Sequence, residues 1–305
     1  MQECHQEALR VDFIKGDKIM ILNMKDLLSV AREKGFAIPA FNISDYSMFN
    51  GIMEICEEKN APVIIAIHPD ELRHITSEMV KGIIERLNNS KIPAVIHLDH
   101  GASMDQIIRA IRIGFTSVMI DGSLLQYEDN VDICKRVCDL AHVVGVSVEG
   151  ELGTIGNTDS TETTAPEDIL YTNPLQAKDF AERTGIDCLA VAIGTCHGIY
   201  PKDKIPKLRI DILDEIRKEV SIPLVLHGGS SNKDSEIEKA VEHGVNKINI
   251  SSDIKVAYYN KMREVLKDES LREPNLIQPP CVEEMKKVAA EKIKLFKAEN
   301  MAMFY

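Results

Sequence analysis

The 305-residue sequence predicts an α/β fold, a (β/α)8 TIM barrel with an extra N-terminal helix and a C-terminal helical appendage. Short apolar, β-branched segments alternate with longer amphipathic segments from residue 36 to residue 267, as in a parallel sheet built from βα units. Eight such units in a chain of this length favour a closed barrel over an open, doubly wound sheet. Three predicted strands begin with proline, whose missing N–H costs least at a strand start.

The predicted strands are 37–41, 62–67, 93–98, 117–120, 146–151, 187–193, 223–227 and 246–250. The helices between them, several preceded by a capping residue such as Asp45, Ser103 or Asn232, are 45–58, 74–89, 103–112, 127–143, 173–184, 211–219, 232–243 and 253–267. A helix near 23–34 is expected to close the barrel floor. After Pro274, Pro279 and Pro280, a helix over 282–297 has one apolar stripe, which packs on the barrel or on another subunit.

Composition and charge limit the possible functions. We expect one domain over residues 20–305, preceded by a tail at residues 1–19. The net charge of −12 argues against nucleic acid or an anionic membrane as the main partner, because an acidic surface repels phosphate backbones. No apolar run approaches the ~18 residues that span a bilayer, and the first residues do not form a signal-peptide pattern. The sequence therefore predicts a cytoplasmic protein, in which the seven cysteines are mostly buried apolar side chains.

Polar side chains stand at the carboxyl ends of the predicted strands, where barrel enzymes place their catalytic groups. They are Asn42, His68, His97, Asp99, His100, Asp121, Glu149, Glu151, His197, His227 and Asn249. Alternation along a strand puts His97 and Asp99 on one face, and likewise Glu149 and Glu151. His68 is expected either to serve the substrate or to cap the following turn.

Three histidines indicate a metal site. His100, His197 and His227 each come just after a hydrophobic strand, and three imidazoles with an open fourth position are typical of catalytic zinc. Any one of them alone is better explained as a hydrogen-bonded rim residue, whereas three together beside Asp99 and Glu151 need a common cause. Asp99 is expected to act on a substrate hydroxyl as general acid/base, or to orient a ligand histidine.

Glycine and hydroxyl residues follow the last three predicted strands, a common place for phosphate sites in barrels. They are Gly198, Gly228, Gly229, Ser230, Ser231, Asn249, Ser251 and Ser252. Backbone N–H groups at glycines approach a phosphate closely, and side-chain hydroxyls and amides add donors, so the set predicts a phosphorylated substrate. Lys255 either meets a second phosphate or is a solvated helical lysine. The long irregular segment 152–172 is expected to cover a site.

Seven segments resemble the class II, zinc-dependent ketose-bisphosphate aldolases, which act on fructose 1,6- or tagatose 1,6-bisphosphate. They are AFNISD (40–45), HLDHG (97–101), SVMIDGS (117–123), VEGELGTIG (148–156), LAVAIGTCHGIY (189–200), LVLHGGSS (224–231) and KINISSDIK (247–255). The resemblance extends from about Met20 to the C-terminus. HLDHG, HGIY and HGGS in this order are specific, whereas a lone HG is not.

The resemblance implies a lyase that releases dihydroxyacetone phosphate and glyceraldehyde 3-phosphate. It implies zinc bound by His100, His197 and His227, with Asp99 as the acid/base for the substrate C4 hydroxyl. The resemblance also implies that Asp121 and Glu151 stand behind these ligands or hold the metal in an alternative position. The implied ligands of the dihydroxyacetone phosphate group are Gly198, Gly228, Ser230, Asn249 and Ser252, and Asn42 at the rim is also expected to contact the substrate. A monovalent cation and a homodimer or homotetramer are further expectations from the family.

The resemblance makes 152–172 a mobile lid whose acidic residue exchanges a proton with the carbon next to the carbonyl. By spacing this residue is Asp159, although Gly156-Asn157-Thr158-Asp159 replaces the usual G-G-x-E. Ser251 is closer to the small residue of tagatose-type members than to the Asp of fructose-specific ones. IAIHPDEL (65–72) replaces a more usual small polar stretch. The aldehyde-side specificity is therefore open between the two sugars and a related phosphoketose.

Three alternatives use the same residues differently. An aldolase with a lysine Schiff base would use Lys247, but this leaves the three histidines without a role. A metal-dependent phosphosugar isomerase or hydrolase would also use histidine ligands and a carboxylate. A non-catalytic partner subunit of an aldolase would be expected to have lost metal ligands, whereas all three histidines are present.

Overall fold

The computed structural model describes residues 20–154, 156–157, 170–198 and 207–305. Its strands, in chain order, are β1 (Ile38–Asn42), β2 (Val63–Ile67), β3 (Ala94–Gly101), β4 (Ser117–Ile120), β5 (Ser147–Leu152), β6 (Gly156–Asn157), β7 (Cys188–Val191), β8 (Cys196–His197), β9 (Leu224–Leu226) and β10 (Val245–Ile250). Eight of them close into a parallel barrel in the order β1, β10, β9, β7, β5, β4, β3, β2, and β6 pairs with β8 in a separate parallel sheet. The predicted TIM barrel is confirmed.

Eight of the ten α-helices in the described part of the chain, all but the first and the last, alternate with the strands and cover the outside of the barrel. The ten are α1 (Met24–Lys34), α2 (Tyr46–Glu58), α3 (Pro69–Asn88), α4 (Met104–Ile113), α5 (Tyr127–Ala141), α6 (Pro174–Thr184), α7 (Ile210–Glu219), α8 (Asp234–Glu242), α9 (Ser252–Val265) and α10 (Pro274–Leu295). None of the helices in the described ranges is both long and apolar enough to cross a membrane. The expected tail at residues 1–19 lies outside the described residues and stays a prediction.

Local capping explains where several helices begin. Asp45 and Ser103 accept hydrogen bonds from the first turns of α2 and α4, as their sequence positions predict. Asn232, also predicted as a cap, instead donates through its side-chain amide to the carbonyls of Gly228 and Ser230, and α8 begins after Lys233.

The third helix begins five residues earlier than predicted, at Pro69 instead of residue 74. His68 is the reason, because its Nδ1 accepts from the backbone N–H of Asp70 over 3.2 Å while Glu71 Oε2 accepts from the backbone N–H of His68 over 2.9 Å. This reciprocal arrangement is a capping box. Thr76 interrupts the helix with a φ of 67°, so the predicted start lies near a kink inside α3.

The first helix closes the floor of the barrel, as predicted. Its apolar side is buried, and the backbone N–H of Lys25 donates to Ser147 Oγ over 3.0 Å at the beginning of β5. The segment before α1 makes a similar contact: the backbone N–H of Leu22 donates to the carbonyl of Ala94 over 2.8 Å at the beginning of β3. These contacts lie at the amino ends of the strands, opposite the predicted rim.

The C-terminal helix is longer than predicted. We expected it over 282–297, after the prolines, but α10 begins at Pro274 and contains Pro279 and Pro280. Proline is favourable at the first helical position, where the N–H has no partner in any case, while interior prolines each remove a backbone hydrogen bond. Packing of α10 along α2 and α9 offsets that loss. Of the predicted apolar stripe, Met285, Ala289, Ile293 and Phe296 are buried, while Val282 and Val288 are half-buried.

Candidate active site

Asp99 and His100 lie where β3 departs from regular strand geometry. The pairing of β3 with β4 shifts register between Leu98 and Gly101, and His100 has a φ of 51°, in the left-handed region. Neighbouring side chains on a regular strand point to opposite faces. The irregularity instead lets both side chains line one cavity at the barrel mouth. A strained backbone of this kind is typical of functional sites.

The imidazoles of His100 and His227 meet at this mouth. Nδ1 of His227 lies 3.0 Å from Nε2 of His100, and the rings cross edge-to-face with their centroids 4.7 Å apart. The second nitrogen of each ring contacts a carboxylate: His100 Nδ1 is 2.9 Å from Asp121 Oδ2, and His227 Nε2 is 2.7 Å from Glu149 Oε1. Histidines that bind metals are commonly oriented by a carboxylate in this way.

Three carboxylates surround the two histidines. We call Asp99, His100, Asp121, Glu151 and His227 together the carboxylate–histidine cluster. Potential ligand atoms of Asp99, His100 and His227 all lie within 4.8 Å of one another, and so do those of His100, Asp121 and Glu151. Within the described residues, Glu151 Oε2 is buried without a hydrogen-bond donor, 3.4 Å from His227 Nδ1. A buried carboxylate oxygen without a donor is costly, and a cation at this point satisfies it. The nitrogen and oxygen donors fit a divalent metal such as zinc.

The electrostatics of the cluster favour a bound cation. Burial lowers the pKa of His100, but Asp99, Asp121 and Glu151 outweigh burial and raise it to about 10. Burial, with the added charge of Asp121, raises the pKa of Glu151 to about 8. Both shifts result from negative charge crowded into a buried space. A field that stabilises an imidazolium here also stabilises a metal cation.

Asp99 is held in one orientation by two asparagines. Its Oδ2 accepts from Asn42 Nδ2 over 2.9 Å, and its Oδ1 accepts from Asn249 Nδ2 over 3.0 Å. Burial raises the pKa of Asp99, but the nearby positive charges, that of His100 first, outweigh burial and hold it well below its usual value. Asn42 and Asn249 were predicted as substrate ligands, and their contact with Asp99 was not predicted. They come from β1 and β10, which are neighbours only because the barrel closes.

Some of the predicted phosphate ligands line a cavity at the barrel mouth, and the others lie in the loop after β9. Gly198, Asn249, Ser252 and Lys255 line a cavity of about 800 Å³ at the barrel mouth, together with four members of the carboxylate–histidine cluster. This cavity is large enough for a phosphorylated sugar.

The loop after β9 is engaged mainly in packing. A side chain at Gly228, which has a φ of 62°, would clash with the carbonyl of Cys196, and one at Gly229 would clash with Ile248. The N–H of Gly229 donates to the carbonyl of Asn249 over 3.2 Å, and Ser230 Oγ accepts from the N–H of Asp253 over 3.3 Å. Both groups therefore have protein partners, and phosphate binding by Gly228, Gly229 and Ser230 stays a prediction.

Lys255 is an ion-paired lysine on the wall of the cavity, and its contact with a second phosphate stays a prediction. Its Nζ forms an ion pair with Glu71, which also accepts from Ser44 Oγ over 3.1 Å. Glu71, with His68, belongs to the segment 65–72 that departs from the family pattern, and both residues line the cavity. The unusual segment 65–72 was visible in the sequence, but its ion pair was not, because Glu71 and Lys255 are distant in the chain.

The side chains of two predicted site residues, His197 and Asp159, lie outside the described part of the chain. The backbone of His197 lies in β8, paired with Asn157, while its side chain is outside the described residues. Asp159 also lies outside the described residues, as does most of the predicted lid.

Lys247 does not suit a Schiff base. Its side chain is fully buried in the barrel, and its Nζ donates to Glu149 Oε2 over 2.6 Å. A Schiff base requires a neutral amine that the substrate reaches. The ion pair and the burial argue against this alternative.

Comparison with known proteins agrees with the geometry. A family model for fructose-bisphosphate aldolase class-II matches residues 22–301. The chain belongs to the class II fructose-bisphosphate aldolase family. It is therefore an aldolase, a lyase, of a metal-dependent family whose substrates are phosphorylated sugars.

Individual relatives match over almost their whole length. A fructose-bisphosphate aldolase of Staphylococcus epidermidis is 37% identical over 288 residues, which cover 92% of this chain and 99% of the relative. One from Staphylococcus aureus is 38% identical with the same coverage. The crystal structure of the YdjI aldolase from Escherichia coli K12 is similar with a TM-score of 0.83 at 32% identity, covering 93% of this chain and 100% of that one.

Proposed function

We propose that this class II aldolase is zinc-dependent and reversibly cleaves fructose or tagatose 1,6-bisphosphate into dihydroxyacetone phosphate and glyceraldehyde 3-phosphate. The observation that carries the proposal is the pair of imidazole nitrogens of His100 and His227, 3.0 Å apart, beside the oriented carboxylate of Asp99. The expected monovalent cation, homodimer or homotetramer, and cytoplasmic location stay predictions.

His100 and His227 would hold the metal, with His197 as the third ligand and Asp121 and Glu151 beside them. When bound, a zinc ion would supply a divalent charge that stabilises the negative charge developing on the substrate as the C3–C4 bond breaks.

The side chains around the metal site move the protons. Asp99 accepts the proton of the C4 hydroxyl, which releases the aldehyde, and the two asparagines keep its oxygens in position for this transfer. An acid in the segment 152–172, proposed as Asp159, then protonates the carbon next to the carbonyl. Closure of this segment over the mouth would exclude water from the reaction.

Phosphate groups would be held near the edge of the cavity. Gly198, Asn249 and Ser252 line it directly, and the loop Gly228 to Ser230 adjoins it through the hydrogen bond from Gly229 to Asn249. These groups would bind the phosphate of the dihydroxyacetone half through N–H and O–H donors. No large basic patch is needed, which agrees with the acidic net charge of −12.

A coupled triose-phosphate assay tests the proposed reaction. We expect triose phosphate to be released from fructose or tagatose 1,6-bisphosphate, to stop after treatment with a chelator, and to return when Zn²⁺ is added back. The physical reason is that the developing negative charge has no other divalent countercharge. Release that survives complete metal removal would contradict the mechanism. Formation of an isomeric phosphosugar or free phosphate, without triose phosphate, would instead favour the isomerase or hydrolase.

The ion pair at the cavity mouth leads to a prediction on the second phosphate. We expect Lys255→Ala to raise KM for fructose 1,6-bisphosphate, and Glu71→Gln to lower it by about tenfold, roughly 1.4 kcal/mol, because Lys255 no longer has to leave a carboxylate. Fructose 1-phosphate is the matched control substrate, since it lacks the second phosphate, and its KM should change little. If each substitution changed KM for fructose 1-phosphate as much as KM for fructose 1,6-bisphosphate, this would contradict a contact between Lys255 and the second phosphate.

A further inference from the structure

Inside the barrel is a lysine that the proposed mechanism does not use. Lys247 lies on β10 with no exposed side-chain surface, and its Nζ donates to Glu149 Oε2 over 2.6 Å. Glu149, on β5, is equally buried. Buried charges are costly unless they are paired, so each of these two side chains depends on the other.

Glu149 connects this ion pair to the proposed metal centre. Its second oxygen, Oε1, lies 2.7 Å from Nε2 of His227. A carboxylate accepts hydrogen bonds, so this contact places the ring proton of His227 on Nε2 and leaves Nδ1 with its lone pair. Nδ1 is the nitrogen that faces His100 Nε2, at 3.0 Å, and Glu151 Oε2, at 3.4 Å.

The other contacts of Glu149 do not replace Lys247. Cys188 Sγ is 3.6 Å from Glu149 Oε2, and His97 Nε2 lies 3.6 Å from the same oxygen. His97 is itself fixed by a contact of 2.9 Å between its Nδ1 and Ser117 Oγ. Among these described contacts, only Lys247 brings a permanent positive charge to the carboxylate.

We propose that Lys247 is a positioning residue of the metal centre: its ammonium group fixes the Glu149 carboxylate, and Glu149 orients His227 toward the metal. The inference rests on the proposed zinc site and adds a group that touches neither the metal nor the substrate. Without the ammonium group, Glu149 Oε2 retains only the longer contacts with Cys188 and His97, and the carboxylate that selects the ring nitrogen of His227 is held less firmly. Metal ligands lose affinity when such supporting contacts are removed.

Zinc binding to the metal-free protein tests the inference directly. Competition with a chromogenic chelator measures the dissociation constant, and the visible spectrum of the Co²⁺-loaded protein reports the ligand geometry. We expect Lys247→Met to weaken zinc binding by about 10- to 100-fold and to alter the Co²⁺ spectrum. Lys292→Met is the matched control, because it also removes a largely buried lysine, one whose Nζ is 2.8 Å from Asp253 Oδ2. We expect the control to retain both the affinity and the spectrum.

A double variant covers the case in which Lys247→Met does not fold. Lys247→Met with Glu149→Gln buries no unpaired charge, so it is expected to fold. A neutral amide both donates and accepts, and therefore does not select one nitrogen of His227. We expect weak zinc binding in this variant too. Wild-type affinity in the folded single or double variant overturns the inference alone, whereas a wild-type protein that binds no zinc overturns the proposed metal centre.

Discussion

His100→Ala and His227→Ala are each expected to abolish zinc binding and turnover. Each substitution removes one of two nitrogens that lie 3.0 Å apart, and it leaves the carboxylate behind the lost ring, Asp121 or Glu149, without that contact. Structural and catalytic zinc sites need at least three protein ligands, so the loss of one is not compensated. Chelator competition and the coupled triose-phosphate assay measure the two effects.

The matched control for these variants is His243→Ala. His243 follows α8, where its Nδ1 is 2.7 Å from Asp214 Oδ1, and it does not line the cavity at the barrel mouth. We expect this variant to keep zinc affinity and turnover. Full activity of His100→Ala or His227→Ala in metal-free buffer would remove the basis for the proposed metal centre.

Asp99→Asn is expected to lower kcat by about 100- to 10,000-fold while zinc binding persists. The amide keeps the shape of the side chain between Asn42 and Asn249 but no longer accepts the proton of the C4 hydroxyl. Zinc content and kcat, measured on the same preparation, separate the two roles that the sequence left open for Asp99.

Two other outcomes would change the assignment of Asp99. A fall in kcat of less than about tenfold would show that it does not transfer the proton. Loss of zinc would show that it binds the metal, because its carboxylate lies within 4.8 Å of ligand atoms of His100 and His227. Asp214→Asn is the control for the loss of a carboxylate, since Asp214 lies on α7 away from the cavity and is expected to leave kcat unchanged.

Local patterns in the sequence were sufficient for the fold and for the family. Strand β2 is a short apolar run that is buried along its length, and helix α4 has a 3.6-residue apolar period, so elements of both kinds can be identified one segment at a time. The three histidines and Asp99 could be found by their positions directly after strands. The start of α10 was predicted wrongly, because interior prolines were expected to stop a helix that packing in fact stabilises.

The contacts within the site depended on the closed barrel. Asn42 and Asn249 hold Asp99 from strands β1 and β10, which come together only when the sheet closes. The left-handed backbone at His100 brings its imidazole beside Asp99, where regular alternation would separate them.

The sequence by itself thus determined the fold class, the family and the residue types at the rim. Only the tertiary structure decided how these residues pair: Lys247 with Glu149, Glu149 with His227, and Lys255 with Glu71. The physical reason is the range of the interactions. Periodicity and capping act between near neighbours in the chain, whereas the pairing of buried charges depends on strand register and barrel closure, which bring together residues that are far apart in sequence.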